Sequence, residues 1–218
     1  MEQSEIVKII KKLDKLENSK GVDVEDILKL LKKGDKSLVP PLKELSLKFK
    51  WKGINDDLFV PLSTWVDTIC IYFEYGFSGL QVLLSKKDRT SEFALATLEE
   101  IKTIQSLEVI LSVAHKLNYV KEEIEFIEKY VYTLNQISFK VEKQNIDESI
   151  YSLLMNTLKK IIAFSETIDN ESVRASSVLC IGRLGRLQEV DFLKSLKSFQ
   201  YPYIGIESKV IKNIKRVN

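Results

Sequence analysis

From Ile6 to the C-terminal tail, apolar residues recur every three or four positions, and no stretch alternates with the period of two of a half-buried strand. That periodicity narrows the choice to helices. Only 8 Gly and 4 Pro punctuate 218 residues, too few turn breaks for a many-stranded β fold. An all-α chain long enough to bury a sizeable core is therefore expected.

The boundaries can be read residue by residue. Ile6, Ile9, Ile10, Leu13 and Leu16 mark a first helix ended by Asn18-Ser19-Lys20-Gly21. Asp23 is placed to cap a second over Val24–Leu31, stopped near Gly34. Ser37 is a candidate cap for a third, and residues 50–57 read as a loop. Pro61 suits the first turn of a long helix that Gly76 closes, with a return over Phe77–Ser85. Helices follow over Thr90–Thr103, Leu107–Leu117 and Glu122–Val141, and two more are opened by Asp147 and Asp169. Gly182 and Gly185 stop or loosen the last of these, Leu187–Phe199 runs back, and Tyr201-Pro202 precedes a final helix over Glu207–Val217.

Self-comparison suggests a repeat. Val173, Arg174, Ala175, Val178, Ile181 and Leu184 fall 33 residues before Ile206, Glu207, Ser208, Ile211, Ile214 and Val217. A two-helix hairpin exposes too much apolar surface to stand alone, and stacking hairpins buries it. Small residues such as Ala175 and Ser176 let neighbouring helices approach. The segment DNESVRASSVLCIGRLGRLQEVDFLKSL, beginning at Asp169, resembles a HEAT repeat of the short variety, with its Val-Arg start and Leu-Gly-x-Leu-like end. The resemblance is clearest over residues 169–199, where Asp169 and Arg174 stand at the positions that set the hairpin geometry in that family. The unit from Asp88 has Phe93-Ala94 where Val-Arg would stand, the last has Glu207 in place of Arg, and residues 1–52 show no match. The resemblance implies an α-α superhelix, a HEAT-like solenoid over residues 58–218, with a divergent helical cap over residues 1–52.

Net charge is +2, but it is unevenly spread. Residues 1–52 carry 13 Lys/Arg against 9 Asp/Glu, residues 194–218 carry 6 against 1, and the stretch between carries 14 against 21. An acidic middle suits a basic protein partner better than a phosphate backbone. Cys70 and Cys180 lie in separate apolar runs, with neither disulfide-framework nor zinc spacing, and read as core residues of a reducing compartment. The N-terminus mixes charge with apolar residues, unlike a signal peptide, and no run approaches a membrane span, so a cytoplasmic protein is expected.

Chemistry is sparse. His115, the only histidine, sits near a helix end with no marked nucleophile or carboxylate beside it in sequence, and reads as structural. Asp56-Asp57 reads as a loop, and Glu122, Glu123 and Glu125 read as favourable charges at a helix start. The eight glycines are dispersed and form no phosphate-cradling loop. Trp65, Tyr72, Phe73, Tyr75 and Phe77 read mainly as core, with any exposed member a potential anchor. The tail KVIKNIKRVN reads as a last helix with a solvated basic face.

The expectation is thus a non-enzymatic protein-binding module with no catalytic, cofactor or metal site. A bacterial immunity protein that inhibits a basic toxin is one concrete form. The alternative implied by the resemblance is a nucleic-acid-binding protein like the DNA glycosylases built on HEAT-like repeats. A lyase-like or chaperone role is a third.

Overall fold

The computed structural model describes residues 2–217; Met1 and Asn218 lie outside it, as do the side chains of Glu2–Ser4, Glu122 and Val217. The protein is all-helical, with no strand among the described residues. Its helices are α1 (Glu2–Asp14), α2 (Val24–Lys33), α3 (Val39–Lys52), α4 (Phe59–Leu84), α5 (Arg89–Ile101), α6 (Ile104–Ser112), α7 (Ile124–Ile137), α8 (Glu148–Thr167), α9 (Glu171–Leu184), α10 (Val190–Ser195) and α11 (Ile206–Val217). Among the described residues no helix is long and apolar enough to cross a membrane. The chain divides into two compact units, Met1–Ile101 and Lys102–Asn218.

In the first unit α3 and α4 form an antiparallel hairpin. Phe49 and Phe59, both fully buried, meet at its turn with ring centroids 5.2 Å apart. Above them the Ser46 hydroxyl donates to Ser63 O, and Lys50–Asp67 and Lys43–Glu74 pair along the flank. α1 and α2 bury Ile6, Ile9, Leu13, Ile27 and Leu30 into the same core. Lys52 closes the end of α1, donating to Asp14 O (3.1 Å) and Leu16 O. A cation among the unsatisfied carbonyls at a helix C-terminus is favourable.

Local signals act as read in several places. Asp23 accepts from the Glu25 N–H at the start of α2, and Pro61 lies in the first turn of α4. Gly76 breaks α4 at φ 62°, ψ −146°, a region essentially reserved for glycine. Gly79 then lies against Ile71: a β-carbon there would sit 2.7 Å from Ile71 Cγ2. In an unbroken helix these two residues would be about 12 Å apart along the axis, so the chain does turn back after Gly76. Elsewhere the details differ. Ser37 does not cap α3: Asp35 caps the single turn Lys36–Leu38 that leads into it, accepting the Ser37 N–H at 2.8 Å, and α3 itself starts without a side-chain cap. α3 continues to Lys52, through the start of the stretch read as a loop.

In the second unit Asp147 caps α8 by accepting the Ile150 N–H at 2.9 Å and the Ser149 hydroxyl at 2.7 Å. These bonds, the Ile150 N–H foremost, hold its carboxyl below the usual aspartate range. The stability it adds is complete above the unfolded aspartate pKa of about 3.9 and is lost as pH falls through the lower folded value. Asparagine keeps the cap but does not titrate there. Asp147→Asn is therefore expected to show a smaller drop in urea midpoint between pH 5 and pH 2 than the parent chain.

Asp169 was expected to open α9, and it does not. It adopts φ 54°, and Asn170 is the cap, accepting the Val173 N–H at 3.0 Å. An amide suits this position because it also donates, here to Glu128 of α7 at 2.7 Å, which a carboxylate could not do. Gly182 does not end α9 either. It lies inside the helix, where a β-carbon would come within 2.8 Å of Val210 Cγ2 on α11. Gly182→Val should push α11 away and cost about 1–3 kcal/mol, read as a lower urea midpoint.

A buried polar network ties α8 to the start of α10. Tyr151 donates to Glu189 Oε1 (2.9 Å) and accepts the Arg186 N–H (3.0 Å), while Lys159 Nζ lies 2.7 Å from Glu189 Oε2. Burial pushes the Tyr151 phenol up to about 12, so it remains a donor at any physiological pH. Tyr151→Phe leaves a buried carboxylate oxygen and a backbone N–H short of a partner. A loss of about 2 kcal/mol is expected by chemical denaturation.

Candidate functional site

α9 packs against α8, α7 and α11, and its contacts with the last two border two surface clefts. On one side it packs against α7, where Asn170 meets Glu128 and the Cys180 thiol points to Leu134 O at 3.9 Å. On the other it packs against α11, where Gly182 meets Val210 and Asn213 Nδ2 approaches Gly182 O at 3.4 Å. In the contact with α7 residue numbers rise together, so α7 and α9 run parallel, whereas the contacts with α11 centre on Gly182.

Two clefts open along the exposed face of α9. One, of about 290 Å³, lies towards α7 and is lined by Glu128, Tyr132, Ser172 and Ser176. The other, of about 350 Å³, lies towards α11 and is lined by Leu179, Arg183, Lys209 and Asn213. Ser172, Ser176, Leu179 and Arg183 follow one another at helical spacing, so the two clefts adjoin one solvent-facing stripe of α9. Tyr132 and Phe139 of the α7 side are half exposed or more.

Charge along this stripe is mixed. Glu128 and Lys129 of α7 both line the cleft beside the start of α9. Arg183, Lys209 and Arg216 stand at the other end, Arg216 lying one turn beyond Asn213 on α11. Arg183 is held flat over the Phe139 ring, 3.5 Å from its centroid, and its Nη1 donates to Asn135 Oδ1 and to Ser138 Oγ (3.3 Å).

The residues singled out from sequence fall elsewhere. His115 is exposed in a short turn after α6. Asp56 accepts the Ser19 N–H (2.8 Å) and the Leu58 N–H (3.1 Å), pinning the α3–α4 turn. Glu123 accepts from Asn118, and the side chain of Glu122 lies outside the described residues. Trp65 stacks on Phe93, and Tyr72 contacts Phe73 and Phe77, all in the first unit, whereas Tyr75 is exposed. Both cysteines are buried free thiols, raised by burial to about 11 for Cys70 and about 12 for Cys180. Among the described residues no cluster of three His, Cys, Asp or Glu gathers to hold a metal ion.

Sequence reading missed these clefts. Tyr132, Ser176, Arg183 and Lys209 lie on three helices far apart in the chain, and only their packing brings them together. Apolar periodicity locates the buried face of each helix, but it does not say which exposed faces end up side by side. The exposed stripe of Leu47, Trp51 and Ile54 on the first unit was missed for a simpler reason: residues 50–57 were read as a loop. Compared with protein-family models, with curated proteins and with solved structures, the chain shows no match.

Proposed function

We propose that this chain is a HEAT-like helical-repeat protein that binds another protein, without enzymatic activity, at the clefts beside α9. The observation that carries the proposal is the packing of α9 against both α7 and α11, each of them the second helix along from it. Stacked hairpins produce this arrangement, and it lays successive helices side by side as one extended surface. The 33-residue register read from sequence pairs α9 with α11, which do pack together. Tyr132, half exposed at the cleft between α7 and α9, offers an aromatic anchor of the kind enriched at binding hot spots.

The charge argument takes a different form in three dimensions. Asp67, Glu74 and Glu100 of the acidic middle pair with Lys50, Lys43 and Lys32 of the basic N-terminal segment. Segment net charge therefore overstates the acidity of the surface. In this reading basic groups of the partner meet Glu128. An inhibitor of a basic toxin, as in an immunity protein, is one role of this kind.

The test places a photo-reactive residue at Tyr132 or Ser176, in the cleft towards α7, and at Leu153 on α8 as a control, in the cells that make the protein. One protein captured stoichiometrically from the cleft positions and not from Leu153 supports the proposal. Equal capture from Leu153, or none from the cleft, would sink it. Nucleic acid captured instead would favour the alternative, for which Arg183, Lys209 and Phe139 are the relevant features.

A further inference from the structure

The outer side of α3 carries an apolar stripe that nothing within the chain covers. Leu47, Trp51 and Ile54 are 57, 74 and 75 % exposed. Leu47 and Trp51 stand one turn apart, and the helical turn runs on past Lys52, where the Ile54 N–H donates to Trp51 O at 3.2 Å. The three side chains therefore follow one line along the helix. Val60, also exposed, continues the surface around the α3–α4 turn, because a β-carbon on Gly53 would lie only 2.8 Å from its Cγ2. Apolar residues scattered singly over a surface are ordinary, whereas a contiguous patch with a charged rim marks a surface that binds something.

The rim decides what. Lys43 and Lys50, on one flank of the stripe, pair with Glu74 and Asp67 of α4, and Lys48, on the other, pairs with Asp14 of α1. Lys52 donates to the carbonyls of Asp14 and Leu16. All four lysines of α3 are thus engaged within the chain. Glu44 and Asp57, exposed at the two ends of the stripe, are acidic. This rim does not attract a phosphate backbone or an anionic membrane, and it offers a charged protein no free cation to recognise. What remains is apolar area with no charge to be matched, and the surface that fits it is another such stripe. Homodimer interfaces are the more apolar class, and a two-fold axis needs only the one patch that every copy already carries. The area agrees. Leu47, Trp51, Ile54 and Val60 expose on the order of 500 Å², against about 800 Å² buried by each partner in an interface of standard size. Leu58, exposed in the same turn, and the aliphatic stems of Lys48 and Lys50 supply the remainder.

We propose that this stripe is the two-fold interface of a homodimer, with α3 of one copy lying across α3 of the other and Trp51 buried between them. The proposal lies wholly within the Met1–Ile101 unit and does not depend on the clefts beside α9.

The experiment is sedimentation velocity on the full chain from about 1 to about 200 µM, which brackets the weak end of affinities for interfaces of this area. The chain should pass from monomer to dimer across that range, and tryptophan emission should move to shorter wavelength as Trp51 leaves water. Trp51→Glu and Ile54→Lys should each weaken association about tenfold or more. Both side chains are exposed, so an unchanged urea midpoint separates loss of the interface from loss of the fold. Tyr201→Glu, which charges another exposed aromatic residue, should dimerise like the parent. A chain that stays monomeric throughout, or a dimer that survives Trp51→Glu, would overturn the proposal. Capture of a monomeric chain by vesicles of phosphatidylserine and phosphatidylcholine, lost in Trp51→Glu, would overturn it in favour of a membrane surface.

Discussion

Arg174→Ala is expected to destabilise the Lys102–Asn218 unit by about 3 kcal/mol. Arg174 is 5 % exposed, and its guanidinium joins three parts of the chain. It donates to Glu171 (2.8 Å) and, more loosely, to Glu166 (3.4 Å) and Ser198 O (3.3 Å), and it stacks on Phe199 with 4.0 Å to the centroid. Glu171 in turn accepts the Gln200 N–H at 2.9 Å. Alanine removes the fork and the stacking surface together and leaves two carboxylates facing each other without their cation. Both carboxylates retain some exposure to water, which keeps the loss at the lower end of the range for a broken buried pair. Urea unfolding followed by far-ultraviolet circular dichroism measures the loss. Hydrogen exchange adds a local signature, with faster exchange at Gln200, where the chain is held by Glu171. Arg174→Lys keeps the charge but not the planar fork, so it should recover only part of the stability. Full recovery by lysine would show that charge alone matters and that the geometry described here does not.

Phe49→Ala should cost the Met1–Ile101 unit about 3–5 kcal/mol, the usual range for emptying a buried aromatic site. Its ring is wholly buried against Phe59 at the point where α3 turns into α4, with backbone on both sides of the contact. The Lys52 ammonium also lies over the Phe59 ring, 5.6 Å from its centroid. Little can collapse into the space without separating the two helices. Both tryptophans, Trp51 and Trp65, belong to this unit, so the transition followed by tryptophan fluorescence should move to lower urea. Phe49→Leu, which keeps most of the volume, should lose far less. Equal losses for the two substitutions would argue against tight packing at this contact.

Much of the local structure could be read from the sequence. Asp23 and Asp147 cap the helices they were expected to cap, and Gly76 breaks the chain where a left-handed backbone is needed. These signals work because each is settled within one turn of chain: a side-chain oxygen and an N–H two or three residues on, or a residue with no β-carbon. Asp169 is the instructive failure. It and Asn170 are both competent caps by type. The choice between them fell to the residue that could also donate to Glu128, 42 positions earlier. Gly182 was likewise read as a helix breaker, because nothing nearby in sequence announces that Val210 will press against it.

By itself, then, the sequence determined that this protein is helical, where most helices begin, and which face of each is buried, because hydrogen bonds along a helix and apolar periodicity are local properties. Tertiary structure decided which helices became neighbours and what became of the charges. Packing α3 on α4 turned the contrast between a basic N-terminal segment and an acidic middle into ion pairs such as Lys50–Asp67. Packing α7 and α11 against α9 put Tyr132 in one cleft beside α9 and Arg183 and Lys209 in another. Coulomb interaction falls off with distance in space and takes no account of distance along the chain. For that reason Arg183 emerged without an acidic partner while Arg174, nine residues before it, acquired two.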